Sequence, residues 1–153
     1  MDRPGVDICR LTLGELSQQD RERIKRILEY KRIAIVGLSP KQGRASRDVA
    51  EFLLEKGYTL IPVRPGVKEI LGLKCYPDLE AIDVPVDIVD VFRQSKYCPE
   101  IARKALNIGA KVLWLQEGIV SKEAERIARS GGMEVVMDLC IKKAYQELME
   151  RNG

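Results

Sequence analysis

The sequence predicts a doubly wound, Rossmann-like α/β domain: a parallel sheet with helices on both faces. Three observations carry this. Short apolar, β-branched runs alternate with segments whose apolar residues recur every three or four positions, the strand–helix alternation of a parallel sheet. The runs at 87–92 (DIVDVF) and 111–116 (KVLWLQ) read as apolar on both faces, as strands covered from both sides do. The stretch 33–47, IAIVGLSPKQGRASR, reads as buried strand, glycine-flanked loop and helix start, the junction where open α/β sheets bind ligands.

The elements follow in order. Residues 1–15 form an irregular arm with Pro4, Gly5 and Gly14. Ser17 or Asp20 caps a helix running to about Tyr30, whose apolar stripe of Ile24, Ile27 and Leu28 packs on the edge or face of the sheet. The domain proper is then 31–153. Ile33–Val36 is the first strand, and Ala45, Val49, Phe52 and Leu53 share one face of the helix after it, which Gly57 ends. Tyr58–Val63 is the second strand, broken by Arg64-Pro65-Gly66. Leu73–Tyr76 is expected as a third, at the edge, because Pro77 stops it at once. A small helix starts at Asp78, and Asp87–Phe92 is the fourth strand. Pro99 opens a helix that Gly109 ends, and Lys111–Gln116 is the fifth strand. Ser121 caps the next helix; Glu134–Met137 is the sixth strand and 141–150 the final helix. With right-handed crossovers, the expected order is 3-2-1-4-5-6, counting strands along the chain. The ends of the first and fourth strands then flank the switch-point crevice.

Composition excludes several function classes. A chain of 153 residues, 45% hydrophobic and 32% charged, is most simply one globular domain. A net charge of +3, with five Tyr, two Phe and one Trp, argues against a nucleic-acid partner. No run approaches the roughly 20 apolar residues of a membrane helix, and MDRPGVDICR has no signal-peptide core, so the expected location is the cytoplasm. Cys9, Cys75, Cys98 and Cys140 are scattered without a CxxC, and histidine is absent; the thiols read as reduced and no metal site is expected.

The first loop and the helix turn after it suit an anion, most naturally phosphate. A helix N-terminus offers free N–H groups and positive partial charge. Here Ser39, Lys41, Arg44, Ser46 and Arg47 surround it. Neither common phosphate fingerprint is present: Gly37 and Gly43 do not make GxGxxG, and Arg44-Ala45 after Gly43 break GxxxxGK[ST]. The crevice is built from Gly37-Leu38-Ser39 on one side and Phe92-Arg93 on the other, with Arg64 and Gln116-Glu117-Gly118 flanking. Enzymes using NAD usually place an acid at the end of the second strand to bind the ribose diol. Arg64 stands there instead, and suits a phosphorylated ribose, as in NADP or coenzyme A, or simply a solvated strand end. Phe92 has two readings, adenine stacking or core filling, and Arg93 shares those of Arg64.

These residues resemble a known family, the small stand-alone CoA-binding domains related to the CoA-binding domain of the succinyl-CoA synthetase alpha subunit. The matches are GLS at 37–39, Arg44, Ser46, IPV at 61–63 with Pro65, DIVDVFR at 87–93, IGAKVLWLQ at 108–116, Gly118-Ile119, VVMD at 135–138 and Cys140-Ile141-Lys142. Together they span roughly three-quarters of the chain, leaving out the first thirty residues. The resemblance implies coenzyme A or an acyl-CoA across the carboxyl ends of the strands, its ADP portion near the first loop. It adds Val63 and Ile119 to the ligand-facing set. Two departures stand out: Arg64 where members often carry Asn, and Ala144-Tyr145 where they often carry Glu-His.

Catalysis by the chain alone is not expected. Without histidine, Ser-His and Cys-His chemistry is excluded, and no nucleophile–base pair emerges from Glu117, Asp138 and Cys140 near the rim. Cys140 either meets the CoA thiol or is a small buried thiol. Three readings remain: a non-catalytic CoA-binding protein, a CoA-dependent acyl-transfer or ligase component needing another subunit, and an NADP-binding oxidoreductase. A protein partner or self-association is left open.

Overall fold

The computed structural model describes residues 16–150. The predicted arm lies outside them. The first described helix, α1 (Gln18–Ile27), begins where Ser17 Oγ accepts the Asp20 N–H at 3.0 Å, closing one of the free donors of the first turn.

Five parallel strands form the sheet: β1 (Arg32–Val36), β2 (Thr59–Val63), β5 (Ile88–Val91), β6 (Val112–Leu115) and β7 (Glu134–Val136), in the order β2-β1-β5-β6-β7. Helices α2 (Ala45–Glu55), α3 (Cys98–Asn107), α4 (Lys122–Ser130) and α5 (Ile141–Tyr145) connect or follow them. Because strand side chains alternate, each strand feeds two cores. Ala34, Val36, Val89, Val91, Leu113 and Leu115 pack with α3 and α4 on one face. Ile33, Ile35, Ile88, Val112 and Trp114 pack with α1, α2 and α5 on the other. The fold is therefore the predicted doubly wound, Rossmann-like domain. Two predicted caps are also present: Gly57 follows α2 at φ 92°, and Ser121 Oγ accepts the Ala124 N–H at the start of α4 at 3.1 Å.

One expectation is corrected. Residues 73–76 do not add a full sixth strand beyond β2. Leu73–Lys74 (β4) instead pairs antiparallel with Glu69–Ile70 (β3) in a separate two-stranded ribbon. The turn between them explains this: Leu71 and Gly72 lie at φ 57° and 75°, the two positive angles of a tight hairpin turn. Only Tyr76 reaches the sheet, where its N–H donates to Pro62 O and its carbonyl accepts the Arg64 N–H. Pro77 has no N–H with which to go on. The observed order is thus the predicted one with its third strand reduced to a bridge.

At the amino end of the sheet, Asp87 is buried and joins β1 to the start of β6. It accepts from Arg32 Nε at 3.2 Å and from Lys111 Nζ at 3.5 Å. Burial alone would raise this carboxyl; the hydrogen bonds and charge of Arg32, with Lys111, hold it below the usual carboxylate range. At the far edge, Arg26 of α1 forks onto Glu134 of β7 at 3.2 and 2.8 Å, fixing the helix to the last strand. Among the described residues no helix is long and apolar enough to cross a membrane.

Candidate functional site

Gly37 marks the end of β1 and the centre of the crevice. Its N–H donates to Val63 O at 3.0 Å, and its φ is +89°. A Cβ here would lie 2.8 Å from Phe92 O and 3.1 Å from Arg93 Cδ. So β1 and the end of β5 approach as closely as they do only because residue 37 has no side chain. Arg93 is held there by stacking over the Tyr97 ring, 4.1 Å from its centroid.

The loop after Gly37 is ordered by its own hydroxyls. Ser46 Oγ accepts the Ser39 N–H at 2.9 Å, and Ser39 Oγ accepts the Lys41 N–H at 3.1 Å. Helix α2 has Arg44 as its N-cap and no side-chain cap, so its first-turn N–H groups donate no hydrogen bond to the cap side chain. Among the described residues, Arg44 makes no ion pair or side-chain hydrogen bond. Ser46 therefore neither caps α2 nor stands free: its oxygen is used to close the loop.

Three cavities open along the carboxyl ends of the strands, and Phe92 lines all of them. The first-loop cavity, about 340 Å³, is lined by Gly37, Ser39, Lys41, Arg44, Ser46 and Arg64. A cavity of about 530 Å³ on the β2 side is lined by Val63, Arg64, Leu79, Arg93, Tyr97 and Ile101. A third of about 850 Å³ on the β6 side is lined by Val49, Arg93, Gln116, Gly118, Ile119, Cys140 and Lys143. Gln116 is buried and its Oε1 accepts the Ile141 N–H at 3.1 Å, so it also serves the start of α5.

Twelve of the fourteen residues predicted from sequence border these cavities; Leu38 and Arg47 do not. The Leu38 side chain is 0% exposed and belongs to the core beneath α2, while its carbonyl accepts a long 3.4 Å bond from Arg64 Nη1. Arg47 turns back on its own loop, donating to Pro40 O at 2.6 Å and pairing with Glu51 at 3.1 Å. Sequence reasoning missed Tyr97, Leu79, Ile101 and Val49. A usable signal existed for Tyr97: in a doubly wound sheet the helix after the fourth predicted strand also begins at the crevice, and Tyr97 directly precedes it.

The rim acids Glu117 and Asp138 have partners within the chain. Glu117 pairs with Lys143 at 3.0 Å in the open, and Asp138, at φ 58°, accepts the Gly118 N–H. Cys140 is half-buried on the wall of the β6-side cavity. Burial raises the Cys75 thiol and pushes Cys98 up to about 11.

A glycine-centred strand junction, a basic uncapped helix start and cavities on both sides of the switch point are what a long, phosphate-bearing ligand needs. The family model described as CoA binding domain matches residues 31–146. The chain belongs to the CoA-binding domain family. The matched range begins just before β1, so α1 lies outside it. A relative of this CoA-binding domain, YneT of Bacillus subtilis, is 43% identical over 131 residues, covering 85% of this chain and 97% of that one. A solved structure of a hypothetical protein from Pyrococcus horikoshii is 35% identical with a TM-score of 0.82, covering 91% of this chain and 96% of that one. The ADP-forming acetate–CoA ligase I of Archaeoglobus fulgidus is 26% identical over 135 residues, 82% of this chain but only 20% of the ligase.

Proposed function

We propose that this protein binds coenzyme A or an acyl-CoA along the carboxyl ends of β1, β2, β5 and β6, as a cytoplasmic binding protein without catalysis of its own. The observation that carries the reading is the meeting of three cavities at Phe92, with the basic start of α2 between them. The diphosphate sits at that helix start, served by Arg44, Lys41 and Ser39 together with first-turn N–H groups. The adenosine end lies in the β2-side cavity against Val63 and Tyr97, where Arg64 and Arg93 are within reach of a ribose phosphate. The pantetheine arm crosses Phe92 into the β6-side cavity, past Ile119 toward Cys140. Family membership supports the ligand class.

Isothermal titration with CoA, NADP and NAD tests the reading, together with mass spectrometry of ligand released from the purified protein. Micromolar or tighter CoA binding, with NAD far weaker, is expected; equal binding of NAD and CoA overturns it. A second reading, a ligase component that works with a partner subunit, is favoured by the similarity to part of the ADP-forming acetate–CoA ligase. It requires acyl-CoA turnover that appears only when a second protein is added.

A further inference from the structure

Four polar side chains are buried among the described residues: Ser46, Asp87, Asp90 and Gln116. Three have partners, given above. Asp90 is 0% exposed, and neither of its carboxyl oxygens has a hydrogen-bond partner. Natural folds rarely leave such a group without a use, because an unpaired buried polar atom lowers stability. Burial raises this carboxyl well above the usual range, so it is held as the neutral acid, with one O–H to donate and a carbonyl to accept.

Its place in the sheet gives the use. Asp90 sits in β5 between Ile35 of β1 and Trp114 of β6. Side chains two apart on a strand share a face, so Asp90 lies directly inward of Phe92, as Trp114 lies inward of Gln116. Phe92, Gln116 and Val49 all line the β6-side cavity, which puts Asp90 one layer beneath its floor. Phe92 is only half-buried, stands at the strand end and borders all three cavities. A buried water would need two to four polar partners. The same core face offers Ile35, Val49, Leu53 and Ala144, and the Trp114 indole N–H is already given to Leu139 O at 2.6 Å.

We propose that Asp90 is a ligand-binding residue, stored beneath Phe92 and reached by the pantetheine end of the bound molecule when that ring turns aside. This rests on the CoA reading above. The amides and terminal thiol or thioester of pantetheine supply both donors and acceptors for such an acid, which the adenosine end of the ligand never reaches.

The test compares wild type, Asp90→Leu and Asp90→Asn, titrated with CoA and with adenosine 3′,5′-bisphosphate, which lacks the pantetheine arm. Asp90→Leu should melt at a higher temperature and bind CoA on the order of ten- to hundredfold more weakly, with bisphosphate affinity unchanged. Asp90→Asn, which still donates and accepts, should stay within a few-fold of wild type. CoA binding by Asp90→Leu equal to wild type overturns the inference while leaving the CoA reading intact. Failure of wild type to bind CoA at all overturns both. Should leucine not fit, infrared difference spectra of wild type decide: CoA, but not the bisphosphate, should shift a protonated-carboxyl band that Asp90→Asn lacks. An unshifted band overturns the inference.

Discussion

Ser46 Oγ accepts the backbone N–H of Ser39 across 2.9 Å, tying the first loop to the first turn of α2. The bond is half-buried and spans seven residues, so it sets the loop shape that any anion at the helix start must meet. Ser46→Ala should cost about 1–3 kcal/mol of stability, since it leaves the Ser39 N–H without its acceptor. Chemical denaturation measures this, and CoA titration should show weaker binding in the same variant. Unchanged values in both would show that the loop holds its shape without the hydroxyl.

Gly37 and Gly43 separate two effects of glycine. Both have positive φ, +89° and +85°, but a Cβ on Gly37 meets Phe92 O at 2.8 Å whereas one on Gly43 meets nothing within 4 Å. Gly43→Ala should lose only the left-handed penalty, about 1–2 kcal/mol. Gly37→Ala should lose more than that and weaken CoA binding as β1 and β5 are forced apart. Equal melting temperatures for the two variants would refute the close-approach argument.

Arg44 and Arg126 offer a matched pair of exposed arginines. Arg126 lies on α4, away from the crevice, with a loose 3.8 Å contact to Glu123. Removing one charged hydrogen bond to phosphate costs on the order of 1.5–3 kcal/mol, so Arg44→Ala should bind CoA about ten- to hundredfold more weakly. Arg126→Ala should not, and both should melt within a degree or two of wild type because surface changes seldom exceed about 0.5 kcal/mol. Equal CoA affinity in the two variants removes Arg44 from the site.

Asp87 makes the fold sensitive to acid. Its folded-state carboxyl lies below the usual range, so the stability it supplies is present above the unfolded value, near pH 4, and is lost as pH falls through the folded value. Asp87→Asn should be less stable than wild type at pH 7, and the gap between them should narrow as pH drops below about 4. Melting curves from pH 7 down to 3 follow this; a constant gap would mean that the carboxylate charge is not what matters.

Thiol labelling reads the wall of the β6-side cavity. Cys98 is buried with its thiol pushed up to about 11, and Cys75 is buried and raised, so neither should react readily at pH 7.5. In a Cys9→Ser background, iodoacetamide should modify Cys140 first, and CoA should slow that reaction. Labelling of Cys140 at the same rate with and without saturating CoA would place the pantetheine arm elsewhere.

Much of the fold is legible locally. The apolar stripe of Ile24 and Ile27, the caps at Ser17 and Ser121 and the break at Gly57 each depend on residues within a turn or two of one another. The site is legible in part. Gly37, Arg44, Arg64 and Phe92 announce themselves because a sheet of this kind puts strand ends at one edge. Leu79 does not, because it reaches the crevice from a short element whose packing against the sheet the sequence leaves open.

The sequence by itself determined the alternation of strands and helices, the burial of the central strands on both faces and the basic junction after β1. Those follow from side-chain period and from conformational demands that single residues carry alone. Only the tertiary structure decided that residues 69–74 close on themselves as a ribbon, that Ser46 is committed to Ser39, that Arg47 braces Pro40 while Leu38 turns into the core, and that Asp90 has no partner. Each of these is a contest among groups that the chain brings together only on folding, over which hydrogen bond is made and which space is filled; the winner depends on distances that no local pattern contains.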